Sequence, residues 1–376
     1  VTITGTARQG ETVTANVSAL ADADGLGTLS YQWRADGTDI SGASSNTYTL
    51  TQAEVGKVIT VAVSYTDAQD TAESVLSTAT AAVENVNDNP TGAVTITGTP
   101  TQGQTLTANN TLADADGLGT LSYVWKAAGT VITGATASTY TLTQAEVGKA
   151  ITVEISYTDN EGTAETVAST ATAAVANVND DPTGTITITG TASEGEVLTA
   201  NTSALADADG LGTLIYQWKA DGTNITGATA STYTLTQDEV GKTITVAVSY
   251  TDGEGTSESV LSSATTSVTN VNTLPTGNVA ITGTATQGGT LTADTSALDD
   301  ADGLGTLSYQ WKADGSDISG ATSSTYTLTQ AEVGKAITVA VSYTDGEGTS
   351  ESVLSAASAA VTNTNDPVSG AVSITG

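Results

Sequence analysis

DADGLGTLSYVWKAA, at residues 114–128, decides the fold, because close copies of it stand at three other places in the chain. The copies occupy residues 22–36, 207–221 and 300–314, and their tryptophans, Trp33, Trp125, Trp218 and Trp311, are 92, 93 and 93 residues apart. A fixed period of this length indicates tandem domains, each near the usual size of an independently folding unit. The sequence therefore predicts an array of four domains.

Around Trp125 the side chains alternate as in a β-strand, with Leu121, Tyr123 and Trp125 on one face. TQAEVGK (143–149) has the composition of a helical turn. Other parts of the repeat that read as strands are VTITG (94–98), TLTA (105–108), a short edge strand around 131–132, STYTLT (138–143), AITVEISYTD (150–159) and ETVASTATAAV (165–175). Seven short strands separated by turns predict a Greek-key β-sandwich.

The predicted fold class is all-β, with four tandem immunoglobulin-like sandwiches in an extended array. The predicted domains are residues 1–88, 89–180, 181–273 and 274–366, and residues 367–376 are expected to begin a fifth copy. The opening VTITG matches residues 94–98, so we expect the chain to be an excerpt of a longer protein.

Composition excludes several classes of function. The chain has 41 acidic and 9 basic residues, a net charge of -32, which makes nucleic acid and anionic membranes poor partners. It has no His and no Cys, which removes Ser-His and Cys-His catalysis, the usual zinc sites and disulfides. No apolar run is long enough to span a bilayer, and no signal-peptide pattern opens the chain.

Acidic side chains recur in two loops and in the linker of each repeat. In a seven-strand sandwich the chain reverses at each connection, so the DADG loop and the TDNEG loop lie at the same end as the incoming linker. Carboxylates about 4 to 5 Å apart repel by roughly 3 to 4 kcal/mol at an effective dielectric near 20, so such a cluster requires a cation. Six to eight oxygen ligands in a flexible cage favour calcium.

The sequence therefore predicts Ca2+ as the cofactor, bound at the junctions between domains. The alternative is that DADG is only a turn, since Asp and Gly are common turn formers. The candidate metal ligands are Asp22, Asp24, Asp67, Asn85, Asn87, Asp88, Asp114, Asp116, Asp159, Glu161, Asn177, Asn179, Asp180, Asp207, Asp209, Asp252, Glu254, Asn270, Asn272, Asp300, Asp302, Asp345, Glu347, Asn365 and Asp366.

The junctions are not identical in sequence. The third linker carries Thr273 and Leu274 where the first carries Asp88 and Asn89, so we expect weaker calcium binding there. Repeat 1 has no preceding linker in this sequence, so its site should be incomplete.

The whole-repeat pattern DADGLGTLSYQWKADG, TYTLTQAEVGK, ITVAVSYTDGEGT and NVNDNPTG resembles the extender repeats of giant RTX adhesins that Gram-negative bacteria export. The strand that carries Trp125 resembles its counterpart in immunoglobulin domains, and the Asn-Asp-Asn run before Pro90 resembles the calcium-binding junction of cadherins. The resemblance implies a spacer at the bacterial cell surface, with neighbouring repeats as partners and distal adhesive domains elsewhere in the protein.

Two other functions remain open. A binding module for glycans or for a second sandwich requires an exposed aromatic or polar cluster, whereas nearly every Trp and Tyr here falls at a core position of a strand. An enzyme has only Asp, Glu, Lys, Tyr and Ser to work with, and no acid–base pair stands out beyond the repeated acidic loops. We expect no enzymatic activity.

Overall fold

The protein is described by a computed structural model at residues 1–365 and 369–370. The chain divides into two compact units, Val1–Asn179 and the part from Asp180 onward, and the described residues of each unit form two β-sandwiches. The predicted all-β, immunoglobulin-like fold is confirmed. The break lies one residue from the boundary predicted between repeats 2 and 3, and the other boundaries stay predictions.

The first unit contains sandwiches 1 and 2. The elements of sandwich 1 are β1 (Thr2–Thr4), β2 (Thr12–Asn16), β3 (Ser30–Ala35), β4 (Thr38–Asp39), β5 (Thr47–Thr49), the 3-10 helix η1 (Gln52–Glu54), β6 (Ile59–Thr66) and β7 (Ala72–Leu76). Those of sandwich 2 are β8 (Val94–Thr97), β9 (Thr105–Asn110), β10 (Ser122–Ala127), β11 (Thr130–Val131), β12 (Thr139–Thr141), η2 (Gln144–Glu146), β13 (Ile151–Thr158) and β14 (Ala164–Ala168).

The second unit contains sandwiches 3 and 4. Sandwich 3 is built from β15 (Thr187–Thr189), β16 (Val197–Asn201), β17 (Ile215–Ala220), β18 (Thr223–Asn224), β19 (Thr232–Thr234), η3 (Gln237–Glu239), β20 (Ile244–Thr251) and β21 (Ser257–Leu261). Sandwich 4 is built from β22 (Ala280–Thr282), β23 (Thr290–Asp294), β24 (Ser308–Ala313), β25 (Ser316–Asp317), β26 (Thr325–Thr327), η4 (Gln330–Glu332), β27 (Ile337–Thr344) and β28 (Ser350–Leu354).

Each sandwich pairs a three-stranded sheet with a four-stranded sheet. In sandwich 2 the strand orders are β8-β9-β12 and β11-β10-β13-β14, and every pairing is antiparallel. Strand β9 therefore pairs with β12 across two intervening strands that belong to the other sheet. This crossing is the Greek-key connection that the sequence predicted.

Alternation in the strands buries one face of each sheet. Trp125 is fully buried, and its ring lies 6.1 Å from the ring of Tyr140 in the opposite sheet, at an interplanar angle of 34°. Ile151, Val153 and Ile155, which alternate along β13, are also fully buried. Full burial of one such aliphatic side chain contributes about 1.5–3 kcal/mol, so each sandwich is held by its own core.

The structure differs from the sequence prediction in the last strand of each repeat. In sandwich 2 a single strand was expected over 165–175, but β14 ends at Ala168. The hydroxyl of Ser169 accepts from the N–H of Val153, and the hydroxyl of Thr172 accepts from that of Ile151. These two hydroxyls take the place of backbone hydrogen bonds between the strands. Further along, Val175 forms a parallel β-bridge with Val147.

The turn predicted at TQAEVGK is η2. Thr143 and Glu146 form a capping box, because the Thr143 side chain accepts from the main chain of Glu146 and the Glu146 carboxylate accepts from the N–H of Thr143. The Thr143 hydroxyl also donates to that carboxylate. Among the described residues, no helix has the length and apolar character to cross a membrane.

Candidate functional sites at the linkers

The first linker (residues 85–90) is tied to the sandwich that precedes it. The side chain of Gln9, in the turn between β1 and β2, accepts from the N–H of Val86 at 3.0 Å. Its amide nitrogen donates to Oδ2 of Asp88 at 2.7 Å. Gln9 therefore holds the linker at two points.

The same linker is tied to the sandwich that follows. The main-chain N–H of Asp88 donates to Oδ2 of Asp116 at 2.7 Å, and Asp116 lies in the DADG loop of sandwich 2. The side chain of Asn87 donates to Oε1 of Glu165, in β14, at 2.8 Å. These bonds connect two domains within one compact unit.

The bond from the linker to the second DADG aspartate recurs in the second unit. There the N–H of Asp180 donates to Asp209 at 2.7 Å, and the N–H of Thr273 donates to Asp302 at 2.6 Å. In each of these bonds the linker donates a main-chain N–H and its side chain takes no part. Thr273 can therefore stand where the other linkers have an aspartate. The structure thus confirms that the DADG loop lies beside the incoming linker.

Burial of the second DADG aspartate follows the presence of that linker. Asp116 and Asp302 are 3% and 4% exposed, whereas Asp24 in sandwich 1 is exposed. The Oδ1 atom of Asp116 is buried and has no hydrogen-bond partner. A buried carboxylate oxygen without a partner costs about 1–3 kcal/mol or more, so this atom calls for a proton donor or a cation.

The first DADG aspartate has a local role instead. Oδ1 of Asp114 accepts from the N–H of Asp116 at 2.9 Å, and Oδ2 accepts from the hydroxyl of Tyr157 at 2.6 Å. Burial and this hydrogen bond raise the pKa of Tyr157 well above its ordinary value. The equivalent tyrosines bond to Asp22, Asp207 and Asp300. The hydroxyl anchors the loop to β13 or its counterpart.

Gly119 brings the DADG loop close to the neighbouring strand. A Cβ at this position would stand 2.0 Å from the carbonyl oxygen of Thr158, so only glycine fits. The next loop begins one residue later, at Asp159, and the N–H of Asn160 donates to the carbonyl of Asp116. The two acidic loops are therefore adjacent.

Asp159 contributes a second orphan oxygen at this end of sandwich 2. Its Oδ1 accepts from the N–H of Thr163 at 2.8 Å, and its Oδ2 is buried without a hydrogen-bond partner. Asp252 and Asp345 repeat this arrangement in sandwiches 3 and 4. Asp67 is also buried, and its Oδ1 accepts from the N–H groups of Gln69 and Thr71.

The structure does not bring every predicted ligand to the linkers. Glu161, Glu254 and Glu347 are exposed, and Asn365 is exposed at the end of sandwich 4. Asp366 and most of the predicted start of a fifth copy lie outside the described residues. Asn177 is partly buried and Asn179 exposed in the first unit.

Among the side chains that sequence reasoning missed are three that form hydrogen bonds with a linker. Glu165 and its counterpart Glu351 accept from the linker amides of Asn87 and Asn272. Gln9 was missed because a glutamine in a turn carries no acidic signal. All three stand at positions that recur with the repeat, and only the fold shows that they face a linker.

The donor atoms decide whether these residues fit calcium. Over the described part of the chain, no group of three or more Asp, Glu, His or Cys side chains is placed to hold a metal ion. The site at the first linker combines a carboxylate oxygen, Asp116 Oδ1, with an amide oxygen, Asn85 Oδ1, and both are buried without a partner. Mixed carboxylate and amide oxygens are a normal calcium donor set, so the residues fit Ca2+.

Comparison with known proteins gives similar structures but no family. No protein-family model matches the chain, and no curated protein matches it either. One similar structure is a Ca2+-stabilized adhesin that helps an Antarctic bacterium reach out and bind ice. It is 12% identical over 94% of this chain and 93% of that one, with a TM-score of 0.34.

Two further structures belong to bacterial or large adhesion proteins. A tetra-tandem repeat from the extending region of a large adhesion protein is 16% identical over 95% of this chain and 97% of that one, with a TM-score of 0.30. A 1.5-MDa bacterial ice-binding adhesin is 11% identical over 74% and 99%, with a TM-score of 0.25. All three TM-scores are below 0.5, so no conclusion about this chain rests on these structures.

Proposed function

We propose that this chain is a structural extender of a large bacterial surface adhesin, in which Ca2+ bound at the linkers stiffens the connection between sandwiches. The hydrogen bond from Asp88 to Asp116 carries the proposal, because it brings a linker onto a buried carboxylate that still has an unpartnered oxygen. A cation there would join the linker to both of its neighbours.

The repeat pattern supports the spacer role. The DADG loop, the tyrosine that anchors it and the linker asparagines recur in each copy. The residues that the four copies share therefore lie in the core and at the ends of the repeat. Repetition of a domain with joined ends extends a chain outward. The proposed partners are therefore the neighbouring repeats, the proposed location is the bacterial cell surface, and distal adhesive domains would lie beyond this sequence.

The proposal gives no residue a catalytic role. His and Cys are absent from the sequence, and the buried acids are used to shape loops or to receive the linker. Calcium, when bound, would supply positive charge between carboxylates. Asp116, Asp88 and Asn85 of the first junction, and Asp302 and Asn270 of the third, are the side chains we propose to hold it.

Thermal unfolding of the full chain tests the metal. A ligand that binds only the folded state stabilises it by about 2.7 kcal/mol at a hundredfold excess over its dissociation constant. We expect higher melting temperatures in millimolar calcium than in EDTA, with magnesium giving less. Equal melting temperatures in calcium and in EDTA would remove calcium from the proposal.

A further inference from the structure

Gln237, the first residue of η3, points its side-chain amide into a group of oxygens at the third linker. With its nitrogen turned toward them, the amide donates to Glu194 Oε2 at 3.0 Å, to Asn270 Oδ1 at 3.1 Å and to Asp302 Oδ1 at 3.2 Å. These atoms come from sandwich 3, the linker and sandwich 4. One glutamine thus contacts every part of the junction.

The amide cannot satisfy all three oxygens. A primary amide has two N–H bonds, so it serves only two of the three acceptors, and Glu194 Oε2 also accepts from the N–H of Val271 at 3.3 Å. Two of the acceptors are carboxylates, and Asp302 is 4% exposed. Without a cation, the carboxylates of Glu194 and Asp302 therefore repel each other across this amide.

Rotation of the amide by 180° places its oxygen where the nitrogen was, because the two atoms have nearly the same size. The glutamine oxygen then lies 3.0–3.2 Å from the other three oxygens. Ligand oxygens at 2.3–2.6 Å from calcium lie about 3 Å from one another, so this spacing suits neighbouring calcium ligands. Because two of these oxygens belong to carboxylates, such a group is favourable only with a cation or a proton among them.

The first junction repeats the pattern with different residues. Gln52 stands in η1 as Gln237 stands in η3, and Gln52 Oε1, Asn85 Oδ1 and Asp116 Oδ1 are all buried without a hydrogen-bond partner. The equivalent three positions of the third junction also bring their oxygens together when the glutamine oxygen faces the other two. The coincidence favours a ligand over a local irregularity.

We infer that this glutamine is the cation-responsive residue of the junction: its amide donates N–H bonds when no calcium is bound and turns its oxygen to the ion when calcium binds. The inference deepens the proposed function and rests on it. It adds Gln52, Gln237 and Glu194 to the residues predicted from the sequence. The glutamine belongs to the sandwich that precedes the linker, whereas the DADG aspartate belongs to the sandwich that follows it. Rotation of the amide on calcium binding would therefore involve both neighbouring domains.

Hydrogen exchange of the full chain, measured by mass spectrometry with calcium or EDTA, reads each junction separately. Residues 270–276 report the third junction and residues 83–91 the first. In the unaltered chain, calcium should slow exchange in both segments. If calcium slows neither, the proposed function fails, and the glutamine inference fails with it.

Gln237→Leu tests the glutamine alone. It should raise the calcium concentration that half-maximally slows exchange at 270–276 by about ten- to a hundredfold, the usual cost of losing a contact that supports a metal site. The response at 83–91 should not change. Gln330→Leu is the matched control, because Gln330 begins η4 but is exposed, and it should alter neither segment.

Gln237→Glu separates a ligand from a structural donor. It keeps an oxygen and removes the two N–H bonds, so exchange at 270–276 should be faster than normal in EDTA and fully slowed by calcium. A normal calcium response in Gln237→Leu would overturn the inference while leaving calcium binding intact. Loss of the response in Gln237→Glu would also overturn it, because the residue would then serve only as a donor.

Discussion

Asp88 donates its main-chain N–H to Oδ2 of Asp116 at 2.7 Å, although the two residues belong to a linker and to the loop of the next sandwich. Asp116 gives one oxygen to the linker and keeps the other buried without a partner. Asp116 therefore holds the linker in place with one oxygen, and the negative charge on its other oxygen has no hydrogen-bond donor beside it.

Asp116→Ala should destabilise sandwich 2 in the presence of calcium. The change removes the acceptor for Asp88 and a proposed ligand, at a cost of about 1–3 kcal/mol. Calorimetry of the full chain in calcium should show the heat of one sandwich moved to lower temperature, while the heat of the others stays in place.

Asp24→Ala is the matched control for that variant. Asp24 holds the same place in the DADG loop but is exposed and receives no linker bond among the described residues, so its replacement should change stability by less than about 0.5 kcal/mol. In EDTA the penalty of Asp116→Ala should shrink, because the alanine also removes an uncompensated buried charge. An equal loss for the two variants in calcium would contradict the account.

At one pair of matched positions, the first and third junctions each carry a single carboxylate, but at different places. The first pairs Gln9 with Asp88, and the third has Glu194 at the position of Gln9 and Thr273 at that of Asp88. Thr273→Asp should therefore destabilise the third junction in EDTA, because it adds a carboxylate beside Glu194 and Asp302.

Glu194→Gln should restore the stability that Thr273→Asp removes. The double variant reproduces the pair of the first junction, in which the glutamine donates to the aspartate at 2.7 Å. A double-mutant cycle in EDTA, measured by calorimetry, should give a favourable coupling of about 0.5–3 kcal/mol, the range found for residues in contact. Additive effects would show that the two positions do not compensate each other.

Strand positions could be predicted because burial alternates with period two. The alternation of Leu121, Tyr123 and Trp125 with polar or smaller residues predicts which face of the sheet they occupy. The spacing of Thr143 and Glu146 predicts the turn that their capping box begins. The last strand could not be placed as well, since the replacement of ladder bonds by the hydroxyls of Ser169 and Thr172 leaves no pattern in the sequence.

The candidate site was predicted by topology more than by composition. Chain reversal at each connection was enough to bring Asp116 beside the linker. Acidic character alone did not distinguish Asp116, which meets the linker, from Glu161, which is exposed, and it overlooked Gln237 and Glu194. The weaker calcium binding expected at the third junction stays a prediction, because Glu194 supplies a carboxylate there that the sequence comparison of the linkers did not include.

Stability in alkali should depend on Tyr233. Burial, together with the hydrogen bond and charge of Glu239, raises the pKa of Tyr233 from 10.0 to about 12. The folded state then holds this proton more tightly than the unfolded chain. The stabilisation is complete below pH 10 and is lost as the pH rises from 10 through about 12.

Tyr233→Phe should therefore flatten the dependence of the melting temperature on pH for one sandwich. Melting curves of the full chain at intervals from neutral pH to pH 12 provide the measurement. At neutral pH the phenylalanine keeps the ring contact with Trp218, at 6.1 Å, so the loss there should be small. An unchanged alkaline slope would show that Tyr233 does not control it.

Small-angle X-ray scattering of the full chain, in calcium and in EDTA at physiological salt, tests the central claim most directly. The net charge is -32 and the Debye length is about 8 Å, so repulsion between sandwiches acts across a junction once its cation is removed. The account predicts a larger radius of gyration and a narrower range of shapes in calcium, with the difference restored by adding calcium back. Superimposable scattering curves in the two conditions would contradict it.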